Sequence, residues 1–365
     1  MKSIFLIAVL LLGNQAGVAA SPAQAAKIHK AWDADMASWA AALEAATTPD
    51  QVAAARKKQP DPVKAAESMW QAIGSQLDQS WTLEHMAWFL EVTPGLLQLS
   101  PQGARVQIFA EPLMNILDAL DRHHLRSEGL TPVCMALAGN ADPRTLPLLE
   151  KIIARHPDPK IQGVASLAAA VALRSLGDEP DLMRKRLTHL RKAIIDSSDV
   201  EVRPSTTVAQ IAEDELYRIR YLSKGRKAPD LVGKDSGGRP LKLSSYQGKI
   251  VVLVFWSETM NDADHAIQLI NQLHDRYQSG QAVKILGVNA DPLPQLRSLE
   301  GSDAVKWSSF SDPSRELAQK FRVSSWPLVF VLDADRRIQF TGTPGSFVDL
   351  TVDALLSEMP SQPNP

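Results

Sequence analysis

Ile250-Val251-Val252-Leu253-Val254-Phe255-Trp256-Ser257-Glu258-Thr259-Met260-Asn261-Asp262-Ala263 is the stretch on which the fold turns. Its first seven residues form an unbroken apolar run after Gly248-Lys249, which suits a strand buried on both faces. Beyond it the period changes. Ile267, Ile270, Leu273 and Tyr277 share one face of a predicted helix. Val283–Val288 reads as a second buried strand, Ser314–Phe321 as a helix and Leu328–Leu332 as a third strand. A turn at Asp333–Arg336 leads into Ile338–Phe340, and a last helix is expected near Leu350–Met359. Strand, helix, strand, then a helix and a hairpin is an α/β arrangement.

Short motifs sharpen this reading. Ala228-Pro229-Asp230 opens the region, and Leu243-Ser244-Ser245-Tyr246-Gln247-Gly248-Lys249 leads into the first buried strand. Ile285-Leu286-Gly287-Val288-Asn289-Ala290-Asp291 follows, then Trp326-Pro327 with Val329-Phe330-Val331-Leu332-Asp333. In this order the motifs resemble the TlpA/ResA-type thioredoxin-like family, which is close to the AhpC/TSA group. The resemblance spans about 130 residues. It implies a thioredoxin-like α/β domain over 228–359 and a cis peptide bond at Trp326-Pro327.

It also implies a site. Active relatives carry two cysteines at the start of the helix that follows the first strand. The helix N-terminus stabilises the thiolate of the first, and the second resolves the mixed disulfide. Here Met260 stands at the attacking position and Ala263 at the resolving one. A thioether has no proton to lose, and a methyl group has no redox chemistry. Val254 occupies the position of the aspartate that assists proton transfer in many thioredoxins. Trp256, Glu258 and Asp262 are candidate groove contacts, and Trp326 with Pro327 forms the groove's far wall. Trp326 either roofs the groove or offers an aromatic contact to an added strand. Met260, Asp262, Asp264 and His265 would suit a copper or other divalent metal. Helix capping and dipole complementation account for Asn261, Asp262 and Asp264 without one, so no cofactor or metal is expected.

Upstream, residues 24–222 read as an all-α domain. Trp32, Met36, Trp39 and Leu43 mark one helix face, and Thr48-Pro49, Asp61-Pro62, Ser100-Pro101, Asp142-Pro143 and Asp158-Pro159 read as helix starts. No period-2 strand stands out before residue 240. Residues 142–177 and 178–222 form two units that suggest a HEAT- or TPR-like solenoid, with a non-repeating bundle as the alternative. Leu182, Leu187, Leu190 and Ile194, then Val208, Ile211, Leu216 and Ile219, are the packing positions expected in the second unit. Of the eight tryptophans, Trp32, Trp39, Trp70, Trp81 and Trp88 lie close in sequence and read as core packing. His123-His124 reads as a solvated helix end, and Arg184-Lys185-Arg186 through Arg191-Lys192 as a solvated basic face. Residues 223–227 read as a linker and 360–365 as a tail.

Residues 1–20, MKSIFLIAVLLLGNQAGVAA, read as a signal peptide: a lysine, a short apolar run and small residues at Val18-Ala19-Ala20. An uncleaved anchor is the alternative. The chain is thus expected to be exported, periplasmic or extracellular, and soluble, with no transmembrane segment after cleavage. Lys and Arg total 39 against 41 Asp and Glu, a net charge of −2, which gives no reason to expect nucleic-acid binding. Cys134 is the only cysteine, so neither an internal disulfide nor a CxxC pair can form. The fold class expected is multidomain: an N-terminal all-α domain followed by an α/β thioredoxin-like domain. The function expected is non-catalytic, a binding or scaffold protein whose partner is an unidentified protein or peptide of the cell envelope. A rival has the helical domain doing the binding. Another is a thiol-disulfide oxidoreductase or antioxidant protein acting through Cys134, a partner's thiol or a bound metal.

Overall fold

The computed structural model describes residues 21–46, 48–101, 103–260, 263–277 and 280–359. The expected signal peptide (1–20), the C-terminal tail, Asn261 and Asp262 lie outside the described residues. The N-terminal part is helical: α1 (Pro22–Glu44), α2 (Pro49–Arg56), α3 (Pro62–Ile73), α4 (Leu83–Val92) and α5 (Ala110–Ala119), then α6 (Thr131–Ala138), α7 (Thr145–Arg155), α8 (Pro159–Arg174), α9 (Pro180–Ser197) and α10 (Val208–Tyr217).

Proline at the first helical position and a side-chain cap before it define several starts. Asp61 accepts from the Val63 and Lys64 amides, and Asp158 from that of Lys160. Thr48 and Gln51 close a reciprocal capping box at α2. Ser100-Pro101 does not start a helix. It lies in the turn of a hairpin, β1 (Leu97–Leu99) with β2 (Arg105–Gln107). A second hairpin pairs β3 (Glu201–Arg203) with β4 (Thr206–Thr207). Both fall before residue 240, where no strand was expected, because two- and three-residue strands are too short to display alternation.

The helices share one apolar cluster that includes Trp88, Phe89, Cys134, Leu149 and the fully buried run Ala168–Ala170. Trp32, Trp70 and Trp81 pack against it, and the Trp39 indole N–H donates to the Ala55 carbonyl, tying α1 to α2. Small residues bring α8 and α9 close: a Cβ at Gly163 would sit 2.3 Å from Ser197 Oγ. His124 is not at a solvated end. It is buried, with Nε2 2.7 Å from the Leu77 carbonyl and Nδ1 3.0 Å from Ser127 Oγ, whereas His123 is exposed.

Two segments then change the architecture. Arg218–Leu222 continues α10 as a π-helical turn. Residues 223–227, read as the linker, are hydrogen-bonded to both parts. The Gly225 amide donates to the Ile338 carbonyl, and the Lys224 amide donates to Asp178.

A hairpin of β5 (Val232–Lys234) and β6 (Pro240–Lys242) precedes β7 (Ile250–Trp256), α11 (Ala263–Tyr277), β8 (Val283–Asn289) and α12 (Leu293–Gly301). Then come β9 (Ser308–Ser311), α13 (Glu316–Lys320), β10 (Leu328–Leu332), β11 (Ile338–Gly342) and α14 (Ser346–Glu358). The main sheet has the order β11-β10-β7-β8-β9, with β7, β8 and β9 parallel and β10 antiparallel to both of its neighbours, β7 and β11. Every residue of β7 is buried, as an unbroken apolar run requires of a central strand. Strand alternation divides them. Val251, Leu253 and Phe255 face one side with Phe310, Phe321 and Phe330, and Ile250, Val252, Val254 and Trp256 face Ile270, Leu273, Val348 and Val352 of α11 and α14. This is the multidomain arrangement expected: helices first, then a thioredoxin-like domain.

Candidate functional site

The site lies where β7 ends. Leu328 pairs with Phe255, so Pro327 stands beside the last residues of β7, and the Trp326-Pro327 bond is cis. The loop from Ser257 to Met260 is built around the buried carboxylate of Asp291, just past β8. Ser257 Oγ donates to Asp291 Oδ1 at 2.5 Å, and the Glu258 amide to Oδ2 at 2.7 Å. Asn289 Nδ2 also reaches Oδ2 at 2.7 Å, and the Thr259 amide donates to Ser257 Oγ at 3.1 Å. A buried carboxylate is tolerated because its oxygens are satisfied in this way.

At the positions where relatives hold cysteines, the Met260 side chain packs against the cluster shared by the sheet, α11 and α14. Ala263 is the first residue of α11 and is buried. Neither can form or accept a disulfide. The chain's one thiol, Cys134, is wholly buried in the helical cluster, apart from the cluster that holds Met260. Burial pushes it up to about 12. At pH 7 about one in 10⁵ such thiols would be ionised, and the thiolate is the nucleophile.

Trp256 is not a groove contact. Its indole is 1% exposed on the α11 side of the sheet and donates to Ser309 Oγ at 3.2 Å. Gly287 makes this possible, since a Cβ there would lie 2.6 Å from the indole nitrogen. Glu258 is half-buried. Its carboxylate accepts from Gln295 and pairs with Arg56 of α2 at 3.4 Å. Asp262, the third candidate contact, falls outside the described residues. Trp326 is half-buried. Its ring lies 6.5 Å from that of Phe255, with the Arg315 guanidinium 5.9 Å above it.

The helical part grips the second loop as well. Arg218 donates to the Arg322 carbonyl and to Ser324 Oγ, and Arg322 pairs with Asp214 at 2.9 Å while lying over the Tyr217 ring. Arg218 is aimed by a buried hub. Glu215, 1% exposed, binds Arg218 and Arg174 at 2.5 Å each and Arg186 at 3.2 Å. Thus the loop after β7, 257–260, and the loop before β10, 322–327, are each held by residues upstream of 223. Met260, Ala263, Trp326 and Pro327 stand out in the sequence. Arg56, Arg218 and Glu215 do not, because their partners are distant in sequence, and Asp291 shows there only as part of a motif.

Residues 224–341 match the AhpC/TSA family. Over 122 residues the chain is 29% identical to the thiol-disulfide oxidoreductase ResA of Geobacillus thermodenitrificans, covering 33% of this chain and 70% of that protein. It is 24% identical over 115 residues to ResA of Bacillus thuringiensis subsp. konkukian, covering 31% of this chain and 66% of that protein. The thioredoxin domain of a thiol-disulfide oxidoreductase from Bacteroides vulgatus aligns at 17% identity and a TM-score of 0.33, covering 37% of this chain and 97% of that one. The C-terminal third is thioredoxin-like in its sheet order and similar in sequence to the thiol-disulfide oxidoreductase ResA.

Proposed function

We propose that this chain is an exported, non-catalytic thioredoxin-fold protein of the cell envelope, in which the α/β part serves as a scaffold for the helical part. The observation that carries the reading is the pair Met260, just before α11, and Ala263, its first residue, where the resemblance calls for two thiols. The packing of Met260 into the core, the Asp291-centred loop and the two grips on the loops after β7 and before β10 support a scaffold over an open peptide groove. Export rests on the sequence of residues 1–20.

Disulfide reduction in insulin, with dithiothreitol as electron source, tests the reading. The full chain is expected to match the protein-free blank. Turnover above the blank refutes it. If that turnover disappears in Cys134→Ser, the activity passes to the helical thiol. If it persists, a partner's thiol or a metal supplies it.

A further inference from the structure

Leu187 and Ile194 fall on the apolar period of their helix, yet α9 leaves them in solvent. Leu187, Ile194 and Ile195 are 43%, 38% and 68% exposed. At about 100° per residue, Arg184, Leu187, Thr188, Arg191, Ile194 and Ile195 share an arc of about 120° on the outer side of the helix. The inner side, with Arg186, Leu190 and Ala193, is buried. Lys185 borders the outer arc. Arg184 pairs with Asp181, but Lys185 and Arg191 make no ion pair among the described residues. Three bulky aliphatics interleaved with cations on one exposed face are not what a merely solvated helix needs.

The charge is local. The exposed side of α9 carries Arg184, Lys185 and Arg191 against Asp181, a balance of +2, while Arg186 is buried among carboxylates and Lys192 pairs with Asp196. The chain as a whole is −2. A second copy of the chain is a poor occupant, because a two-fold contact through this face would set Lys185 and Arg191 against their own kind. An acidic protein would have to supply a groove for a convex helix. A lipid surface yields to such a ridge, and basic heads beside aliphatic side chains are the composition of helices that lie in the interface plane.

We propose that the outer face of α9 docks on an anionic lipid surface, with Leu187, Ile194 and Ile195 entering the headgroup boundary and Lys185 and Arg191 meeting lipid phosphates. The inference is independent of the degenerate site. It places the helical part against the membrane and leaves the α/β part to brace it.

The test is co-sedimentation of the full chain with vesicles of phosphatidylcholine containing about one third phosphatidylglycerol, against phosphatidylcholine alone. Binding is expected to the anionic vesicles only and to weaken in 0.5 M salt. Lys185→Glu with Arg191→Glu should weaken it tenfold or more, since each cation near such a surface contributes on the order of 1 kcal/mol. Ile194→Ser with Ile195→Ser, which leaves the charge unchanged, should also weaken it at least several-fold. All four positions are exposed, so the variants should keep the parental circular dichroism. No sedimentation with anionic vesicles overturns the proposal. So does parental binding by the isoleucine variant, which would make the face a purely electrostatic patch suited to an acidic macromolecule.

Discussion

Replacing Glu215 with Gln probes how the two parts are joined. The carboxylate neutralises three guanidinium groups of unequal burial. Arg174 is 36% exposed, and losing its partner there costs little because water takes over. Arg218 is 15% exposed and has the 322–324 loop as a second anchor. Arg186 is 2% exposed, and its other carboxylate, Asp178, is 3.3 Å away. Breaking a buried pair typically costs about 3–5 kcal/mol; most of the loss should come from Arg186, and because Asp178 still faces it the low end, about 3 kcal/mol, applies. For a domain of this size each kcal/mol lowers Tm by about 2–4 °C, so the melting transition should fall by about 6–12 °C. Arg218 would also lose its orientation, so amide exchange across residues 322–327 should quicken while that of β7 stays slow. A second substitution separates charge from packing: adding Arg186→Met to Glu215→Met should recover much of the loss, since a buried ion pair replaced by apolar groups is often neutral. Melting followed by near-ultraviolet circular dichroism, with exchange mass spectrometry, reads all three. A Tm within about 2 °C of the parent and unchanged exchange at 322–327 would refute the hub.

Burial lowers the pKa of His85, helped by neighbouring His29 and opposed by Glu84, and burial likewise lowers that of His189. The unfolded chain then binds more protons than the folded one just below pH 6.5, so stability is greatest above that value and is lost as the pH falls through it. Melting at pH 7.5 and 5.5 should show this fall, and His85→Gln should flatten it. Gly287→Ala places a Cβ 2.1 Å from Ser309 Oγ and 2.6 Å from the Trp256 indole nitrogen. It should cost about 1–3 kcal/mol in urea unfolding, and no loss would mean that Trp256 has another resting place. Cys134 should resist an aromatic disulfide reagent in the native chain and react stoichiometrically in denaturant. Rapid native labelling would contradict its burial.

What the sequence could disclose follows from the kind of signal each feature leaves. β7 was legible because a strand buried on both faces is apolar throughout. Met260 and Ala263 were legible because a missing cysteine is visible without any structure. β9 and α12 were not. Ser308–Ser311 has no apolar run, being an edge strand with one phenylalanine, and Leu293–Gly301 has two prolines nearby and a short apolar stripe. Trp256 continued the apolar run but sat next to the site motif, so its burial over Gly287 depended on a residue 31 positions away. Leu187 and Ile194 kept the helical period and still face outward, because period reports that a face exists and not what covers it. Arg56, Arg218 and Glu215 act across sequence separations that no local pattern encodes.

This thioredoxin-like domain has the cis bond at Trp326-Pro327 and no cysteine of its own. Insulin reduction by Met260→Cys/Ala263→Cys, run beside the parent chain, tests the reading of a non-catalytic thioredoxin fold. The parent should stay at the blank, and the variant, with one new thiol just before α11 and the other at its first residue, should turn over above it, since a helix N-terminus favours a nearby thiolate. A parent that reduces insulin by itself, or a folded variant with both new thiols titratable and no gain, would contradict it.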